Sequence, residues 1–319
     1  MADNDINSVC VVGAGAIGSL FAGHFGSTVD ASVLTRRPIH AHELNRHGLK
    51  ITGKSNLQTK IRASTDPADL GEPDLVIVAT KATAVESSAK TLSGHFADAT
   101  IMTVQNGLGC EDVIAQAGDW PIISAITFMS GTKHSDIHVE YELDTATWLG
   151  PWVKRGPGIE VVKQVEALIN RSGLKATAFE DVRPAQWSKL LFNSCVNSIG
   201  AVTNLPHVKA FANRDAMEDL GHLVFDMMEE GKRVAAAEGI ELHEDPWDMN
   251  VEAVSHGSTG QDEYAHIFSM LGDVRSQRLT EVDWLTGAVV REAHRLGVPV
   301  PIHETMFRLV KALEQSWRR

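Results

Sequence analysis

The feature that most restricts the fold of this chain is a glycine-rich segment placed directly after its first predicted strand. Residues 8–12 (SVCVV) are strand formers, and GAGAIG at 13–18 follows them with the spacing G-x-G-x-x-G. In this pattern the first glycine permits a tight turn, and the second lets the backbone approach a pyrophosphate. The third allows the next helix to pack closely on the strand, with its N-terminus facing the anion. The segment therefore predicts a dinucleotide-binding turn. The predicted cofactor contacts in this turn are Gly13, Gly15, Ala16, Ile17 and Gly18.

Further apolar runs continue through the first half of the chain, and each is followed by a glycine, a polar break or a helix-like segment. The run at 74–80 (DLVIVAT) is nearly all apolar, as a strand buried on both faces of a parallel sheet requires. Residues around Trp148 are expected to add late antiparallel strands. The pattern predicts a parallel sheet with helices on both faces. The other runs lie at 31–35, 100–105 and 122–128.

The second half of the chain has the apolar spacing of helices and no strand alternation. Ser258 and Gln261 resemble a capping box before one helical run. The sequence therefore predicts an α/β protein. We expect a dinucleotide-binding, Rossmann-type parallel sheet domain over 1–182 and an all-helical, substrate-binding domain over 183–319. Helices are predicted at 183–202, 215–238, 280–296 and 303–317.

Charge and composition argue against several classes of protein. The 319 residues include 29 Lys and Arg against 41 Asp and Glu, a net charge of -12. Nucleic-acid and anionic-membrane binders need a positive field, so neither is expected. No apolar run approaches the roughly 20 residues that span a bilayer, and the acidic N-terminus is unlike a secretory signal. The three cysteines form no disulfide or zinc pattern. We expect a cytoplasmic protein without a metal site, and a homodimer stays open.

Residues at the ends of later strands indicate the type of cofactor. A ribose-binding Asp or Glu is expected about 20 residues beyond the glycines, but Arg36 and Arg37 stand there. Arginine binds a 2′-phosphate, which a carboxylate would repel. This favours NADP(H) over NAD(H), with Arg36 the better candidate because it is nearer the strand end. Lys81 and Asn106 also follow strands at the ligand-binding edge of the sheet, although a surface lysine and a simple Asn-Gly turn remain open.

The predicted helix at 183–202 carries a polar stripe. Lys189, Asn193 and Asn197 lie at i, i+4 and i+8, which puts an ammonium and two amides on one face of a helix that is otherwise mostly apolar. Asparagine is a poor helix former, so the stripe is better explained as the lining of a polar cleft than as bulk surface. Further along, Ser269 lies in a short helical segment, and Glu281 is predicted at the start of the helix at 280–296.

Together these motifs resemble the ketopantoate reductase (2-dehydropantoate 2-reductase) family over nearly the whole chain. The helical motifs are more specific than the glycine turn, because other Rossmann dehydrogenases lack them. The resemblance implies an NADPH-dependent reduction of 2-dehydropantoate, a small 2-oxo acid, to (R)-pantoate on the route to pantothenate and coenzyme A. The motifs are GAGAIG at 13–18, TKA at 80–82, QNGLG at 105–109, KLLFNSCVN at 189–197, SML-x-D at 269–273 with TE at 280–281, and GVPVP at 297–301.

The resemblance also implies a role for each matched position. Lys189 matches the general acid, Glu281 an acid that supports the reaction and approaches the cofactor, and Asn106 an amide in contact with cofactor and substrate. The protonated lysine would stabilise the oxyanion that forms as hydride attacks the ketone, in a cleft expected between the domains. The remaining matches are Lys81 to a cofactor-binding lysine, Asn193 and Asn197 to substrate-binding asparagines, and Ser269 to a residue that binds the substrate carboxylate.

Three alternatives stay open beside this interpretation. His207 stands where the family often has a further asparagine, so the same architecture with a different 2-oxo acid substrate is the main one, and Asn204 is a candidate replacement. A non-catalytic NADP sensor should have lost Lys189 or Glu281, but both are present. A metal-dependent enzyme is disfavoured because the 14 histidines form no H-E-x-x-H and no compact cluster.

Overall fold

The structure divides the chain into two compact units. A computed structural model describes residues 6–215, 219–256 and 266–317. The first unit contains residues up to 105 together with 110–182, and the second contains 106–109 together with 183–319. The short segment 106–109 therefore groups with the helical unit. A single boundary at 182/183, as predicted from the sequence, does not include this crossing of the chain.

An eight-stranded sheet forms the centre of the first unit, as far as its described residues extend, in the order β12-β11-β8-β7-β6-β1-β2-β5. Its neighbouring strands are parallel except at β8 and β11, which are antiparallel as the sequence predicts around Trp148. The strands are β1 (Ser8–Val12), β2 (Asp30–Leu34), β5 (Arg62–Ser64), β6 (Leu75–Val78), β7 (Thr100–Thr103), β8 (Ile122–Thr127), β11 (Thr147–Pro151) and β12 (Ala176–Ala178).

Helices pack on this sheet because its central strands carry apolar side chains on both faces, which the helices bury. All four residues of β6 are buried, which explains its continuous apolar run. In α1 the rings of Phe21 and Phe25 stack in the core, where both side chains are fully buried. The helices of this unit are α1 (Ala16–Phe25), α2 (Pro38–His47), α3 (Val85–Leu92), α4 (Cys110–Ala115) and α5 (Ile159–Arg171).

A second sheet of four strands, in the order β4-β3-β10-β9, also belongs to the first unit and is missing from the sequence-based prediction. The alternation that reveals a half-buried strand is weak here, because β9 reads SGTKHS and none of its residues is fully buried. β3 and β10 pair in parallel although they are far apart in the chain. The strands are β3 (Leu49–Gly53), β4 (Leu57–Thr59), β9 (Ser130–Ser135) and β10 (His138–Leu143).

The second unit is helical, which confirms the predicted class. An isolated bridge between His207 and His266 is the one strand-like pairing among its described residues. The predicted helix at 215–238 is described from Asp219, and the predicted capping box at Ser258 and Gln261 lies outside the described residues. The helices are α6 (Arg183–Thr203), α7 (Asp219–Ala237), α8 (Pro246–His256), α9 (Ser269–Arg275), α10 (Thr286–Leu296) and α11 (Pro301–Ser316).

The prediction of one helix over 280–296 was wrong at its start, because 281–285 form a bend and turn before α10. The Glu314 carboxylate accepts hydrogen bonds from the Thr280 amide at 2.8 Å and the Thr280 hydroxyl at 2.7 Å, which holds the chain before the turn. The Trp284 carbonyl accepts a hydrogen bond from the Leu108 amide at 3.0 Å. Both partners are distant in sequence, so local periodicity does not reveal them. Glu281 consequently lies ahead of α10 rather than within it.

None of the described helices combines the length and hydropathy that crossing a membrane requires.

A buried carboxylate joins α7 to the start of α11. Glu230 is 3% exposed and accepts hydrogen bonds from the amides of Ile302 and His303, each at 3.0 Å, and from Nδ1 of His303 at 3.1 Å. Burial alone would raise the pKa of this carboxyl, but the hydrogen bonds outweigh it, and the pKa of Glu230 is lowered. The carboxylate therefore caps the α11 N-terminus, where amides lack partners within the helix.

We expect Glu230→Gln to lower the free energy of unfolding by about 2–4 kcal/mol, because the amide keeps one acceptor and turns a donor towards other donors. Urea unfolding at neutral pH measures this change. The lowered pKa means that the stabilisation is present above pH 4.5 and is lost as the pH falls through the folded-state pKa, so the difference should shrink in acid. Asp226→Asn, at an exposed position of α7, is the matched control. Equal stability of the two variants would contradict the assignment.

Candidate functional site

The glycine-rich turn has the geometry that a dinucleotide requires. Gly15 is the residue before α1, and no side chain caps this helix. A Cβ at Gly15 would meet no atom within 4 Å, whereas a Cβ at Gly18 would lie 1.9 Å from the Gly13 carbonyl oxygen. Gly18 thus allows α1 to pack closely, and Gly15 leaves open space in front of the first helical amides, those of Ala16 and Ile17. This is a cradle that a phosphate fits.

The two arginines after β2 have different surroundings. Arg36 is exposed, and its side chain has no hydrogen bond or ion pair with any residue that the structure describes. Arg37 is also exposed but is paired with the carboxylate of Asp136. Arg36 is therefore the better placed of the two to bind an anionic ligand at the end of β2.

Lys81 and Gln105 lie at the carboxyl ends of neighbouring parallel strands. Lys81 is exposed and precedes a short 3₁₀ turn at Ala82–Ala84. Gln105 donates from Nε2 to the carbonyl oxygens of Val78 at 2.7 Å and Thr80 at 3.1 Å. Its Oε1 is buried without a hydrogen-bond partner in the described part of the chain. Sequence reasoning missed Gln105, and such an acceptor at this edge fits a ligand donor.

The second unit contains the remaining predicted residues, and hydrogen bonds link some of them. Asn197 donates from Nδ2 to Oδ1 of Asn193 at 3.3 Å and accepts at its own Oδ1 from the Met270 amide at 3.4 Å. Ser269, the exposed first residue of α9, precedes Met270 and is therefore adjacent in sequence to a residue that contacts this stripe. Asn106 belongs to the segment that bonds to Trp284, three residues after Glu281.

Lys189 is the charged residue of the polar stripe, beside the two neutral amides. It is partly buried on α6, and this desolvation lowers the pKa of its ammonium to about 7, although the negative charge of Glu281 opposes the shift. Glu281 itself is 8% exposed. A lysine with such a pKa can hold a proton at neutral pH and also release it, which is what a general acid requires.

His207, which stands where the family often has an asparagine, is a core residue rather than an exposed polar group. It is 1% exposed, its Nε2 lies 2.8 Å from Oδ1 of Asn250, and burial lowers its pKa to about 4. Its ring packs near those of Phe192, Phe211 and Phe268. Oδ1 of Asn204 accepts a hydrogen bond from Nε of Arg275 at 2.8 Å.

No group of three or more His, Cys, Asp or Glu among the described residues is arranged to hold a metal ion. The chemistry that the arrangement offers is an anion cradle in one unit and, in the other, a desolvated lysine with two amides. A phosphate cradle on a parallel sheet, together with a lysine able to donate a proton, is typical of oxidoreductases that contain a Rossmann-type domain.

Comparisons with known proteins identify the family. The model described as "Ketopantoate reductase PanE/ApbA" matches residues 9–154, and its C-terminal counterpart matches residues 181–314. The 2-dehydropantoate 2-reductase of Pyrococcus horikoshii is 28% identical over 306 residues, or 96% of this chain and 97% of that protein. The chain belongs to the ketopantoate reductase PanE/ApbA family, as its motifs predict.

Solved structures show the same fold. A PanE/ApbA family ketopantoate reductase from Ralstonia eutropha has a TM-score of 0.84 at 24% identity, covering 98% of this chain and 100% of that one. A D-mandelate dehydrogenase in complex with NADH and anilino(oxo)acetate has a TM-score of 0.83 at 22% identity, with 98% and 100% covered.

Two glycine substitutions should separate folding from ligand binding. Gly15→Ala should keep the stability of the protein, because the added methyl meets nothing, but should weaken the binding of a nicotinamide dinucleotide about tenfold or more by filling the cradle. Gly18→Ala should lower the melting temperature, because α1 must move away from Gly13. Thermal unfolding without ligand and calorimetric titration measure the two effects. Wild-type affinity in Gly15→Ala would show that the cradle does not hold the cofactor.

Proposed function

We propose that this protein is an NADPH-dependent 2-oxo acid reductase that converts 2-dehydropantoate to (R)-pantoate. In this proposal the first unit binds the dinucleotide and the second unit binds the substrate. The observation that carries the proposal is Lys189, which has a pKa of about 7 and shares a unit with Glu281 and two amides. Relatives named 2-dehydropantoate 2-reductase that match almost the whole chain support the choice of substrate.

The cofactor would be held by the residues that the sequence motifs identify. Gly13, Gly15, Ala16, Ile17 and Gly18 would receive the pyrophosphate, and Arg36 the 2′-phosphate, whereas Lys81, Asn106 and Glu281 are proposed contacts elsewhere on the dinucleotide. Arg36 supports NADP(H) because it is exposed and unpaired among the described residues. When bound, the reduced nicotinamide supplies a hydride to the C2 carbonyl carbon of the substrate.

Lys189 is proposed as the proton donor. As negative charge develops on the C2 oxygen, the ammonium stabilises it and then transfers a proton, which completes the hydroxyl. Partial burial makes the ammonium a better acid than an exposed lysine, while Glu281 keeps enough of it protonated near neutral pH. Glu281 is therefore a positioning and electrostatic partner for the lysine in this proposal.

Neutral groups would orient the substrate. Asn193, Asn197 and Asn106 can donate hydrogen bonds to the hydroxyl and carbonyl oxygens of a 2-oxo acid without adding a negative charge that would repel it. Ser269, at the exposed start of α9, can donate to the substrate carboxylate, and the helix N-terminus adds positive potential there.

We expect the rate of reduction at saturating NADPH to fall as the pH rises through about 7, because Lys189 loses the proton that it must donate. Lys189→Ala should lose roughly 10²–10⁴-fold in kcat while still binding NADPH. Lys209→Ala, at an exposed position of the same unit, is the matched control.

Glu281→Gln tests the electrostatic partner in the same assay. Removal of the carboxylate charge takes away the effect that raises the Lys189 pKa, so the falling limb should move to lower pH. Near-normal turnover in Lys189→Ala, or a profile that stays flat to pH 9, would refute the assignment of the donor.

Cofactor choice has its own test. Arg36→Ala should raise the Kd of NADPH about tenfold or more and leave that of NADH nearly unchanged, because only NADPH carries the 2′-phosphate. Arg46→Ala, at an exposed position of α2, is the control. Fluorescence titration measures both constants, and an equal loss for the two nucleotides would contradict the proposed role.

A different 2-oxo acid is the second candidate substrate. The burial of His207 among phenylalanine rings, with Asn250 at its Nε2, favours it, because the side chain at this position is directed into the core. A panel of 2-oxo acids, assayed by NADPH oxidation, separates the two candidates. Preference for 2-dehydropantoate over acids with apolar side chains would support the first.

A further inference from the structure

A lysine of the second sheet reaches the glycine-rich turn. Lys133 lies on β9, a strand that packs against α1. Its Nζ donates to the carbonyl oxygen of Ala14, the residue between Gly13 and Gly15, at 3.0 Å. Its other partner among the described residues is Oδ1 of Asp136, at 3.1 Å. An ammonium has three N–H donors, so one of them is left for a ligand.

The same network also holds the loop that follows β2. Asp136 is paired with Arg37, and its carbonyl oxygen accepts a hydrogen bond from Nε2 of His40 at 2.8 Å. Because a carbonyl only accepts, His40 carries its hydrogen on Nε2, and Nδ1 is the acceptor that faces Arg37 at 3.4 Å and the Thr35 hydroxyl at 3.3 Å. The β9–β10 connection is thus tied to the end of β2, and Lys133 is fixed between that end and the turn.

The charges of this cluster leave a positive excess. Arg36, Arg37 and Lys133 are cations and Asp136 is an anion. His40 is 2% exposed, and burial, with the nearby Lys133 charge, lowers its pKa, so it is neutral at pH 7. The net charge of about +2 matches the roughly -2 of a phosphate monoester at neutral pH. The pyrophosphate of the dinucleotide is a diester and is served by the helix amides instead.

We propose that Lys133 is a further cofactor-binding residue that acts with Arg36 on the 2′-phosphate of NADP(H) and helps to select NADP(H) over NAD(H). This inference rests on the cofactor part of the proposed function and does not depend on the identity of the substrate. Position supports it, because the ribose 2′ position of a dinucleotide is recognised between the glycine-rich turn and the end of the second strand. Lys133 spans these two points through Ala14 and Asp136.

Asp136 has a complementary part in this arrangement. Burial alone would raise the pKa of its carboxyl, but hydrogen bonds from Lys133 and Arg37 outweigh that effect and lower it, so the group stays ionised. The carboxylate holds the two cations in place and keeps them from repelling each other before a ligand binds. Arg36 lies outside this pairing and completes the excess charge.

The experiment compares Lys133→Met, which removes the charge and keeps the stem, with Lys50→Met, an exposed lysine of the same sheet. The dissociation constants of NADPH, NADH, 2′-AMP and 5′-AMP are measured by calorimetric titration of the full chain, without substrate. Lys133→Met should weaken NADPH and 2′-AMP about tenfold or more and change NADH and 5′-AMP less than about threefold. Lys50→Met should leave all four unchanged, and Lys133→Arg should restore most of the NADPH affinity.

Other results would overturn the proposal. Equal weakening of NADPH and NADH binding would mean that Lys133 supports the turn or binds the pyrophosphate. Unchanged dissociation constants would mean that Lys133 only makes its hydrogen bond to Ala14 and does not contact the ligand. A melting temperature of ligand-free Lys133→Met far below that of Lys50→Met, together with loss of all four ligands, would also assign a purely structural role. Wild-type protein that binds NADH but neither NADPH nor 2′-AMP would instead refute the cofactor assignment itself, and a failure of the 2-dehydropantoate assay would leave these binding results intact.

Discussion

The close approach between α1 and the turn after β1 is the constraint on which the first unit depends. A Cβ at Gly18 would come within 1.9 Å of the Gly13 carbonyl oxygen, so only glycine lets the helix begin where it does. Because α1 begins there, its uncapped amides face open space at Gly15. The position of α1 also sets the position of β9, which packs on it and brings Lys133 to Ala14. The absence of a side chain at Gly18 therefore positions two separate sources of positive potential, the uncapped helix amides and Lys133.

The helical unit solves a different electrostatic problem. A proton donor for a ketone must be acidic enough to release its proton and close enough to an anion to keep it, and burial with Glu281 nearby gives Lys189 both properties. Amides suit the other positions of the stripe, because a carboxylate there, in addition to Glu281, would raise the pKa of the lysine and repel an anionic substrate. Asn193 and Asn197 satisfy each other in part, which fixes their orientation before a ligand arrives.

The parts that were predictable from the sequence are those encoded by local patterns. The glycines at 13–18, the apolar run of β6 and the i, i+4, i+8 stripe of α6 each follow from spacing alone. The second sheet was missed because β9 is polar and because β3 and β10, which pair in parallel, are distant in the chain. The turn before α10 depends on Glu314, and the assignment of 106–109 to the helical unit depends on Trp284, so neither leaves a local signal. Lys133 shows the same limit: in sequence it is one lysine among polar residues.

The net charge of -12 is compatible with the anionic ligands of the proposed reaction because the charges are unevenly distributed over the protein. Lys232 is shared between Glu229 and Asp245, and Lys311 between Asp283 and Glu314. Each of these groups keeps one excess negative charge, but salt screens its field beyond about 10 Å at ordinary ionic strength. At the end of β2 the balance is reversed, since Asp136 has to neutralise two cations and leaves Arg36 without a partner among the described residues. In the proposed function, a dinucleotide phosphate is therefore attracted by the local positive excess rather than repelled by the total charge of the protein.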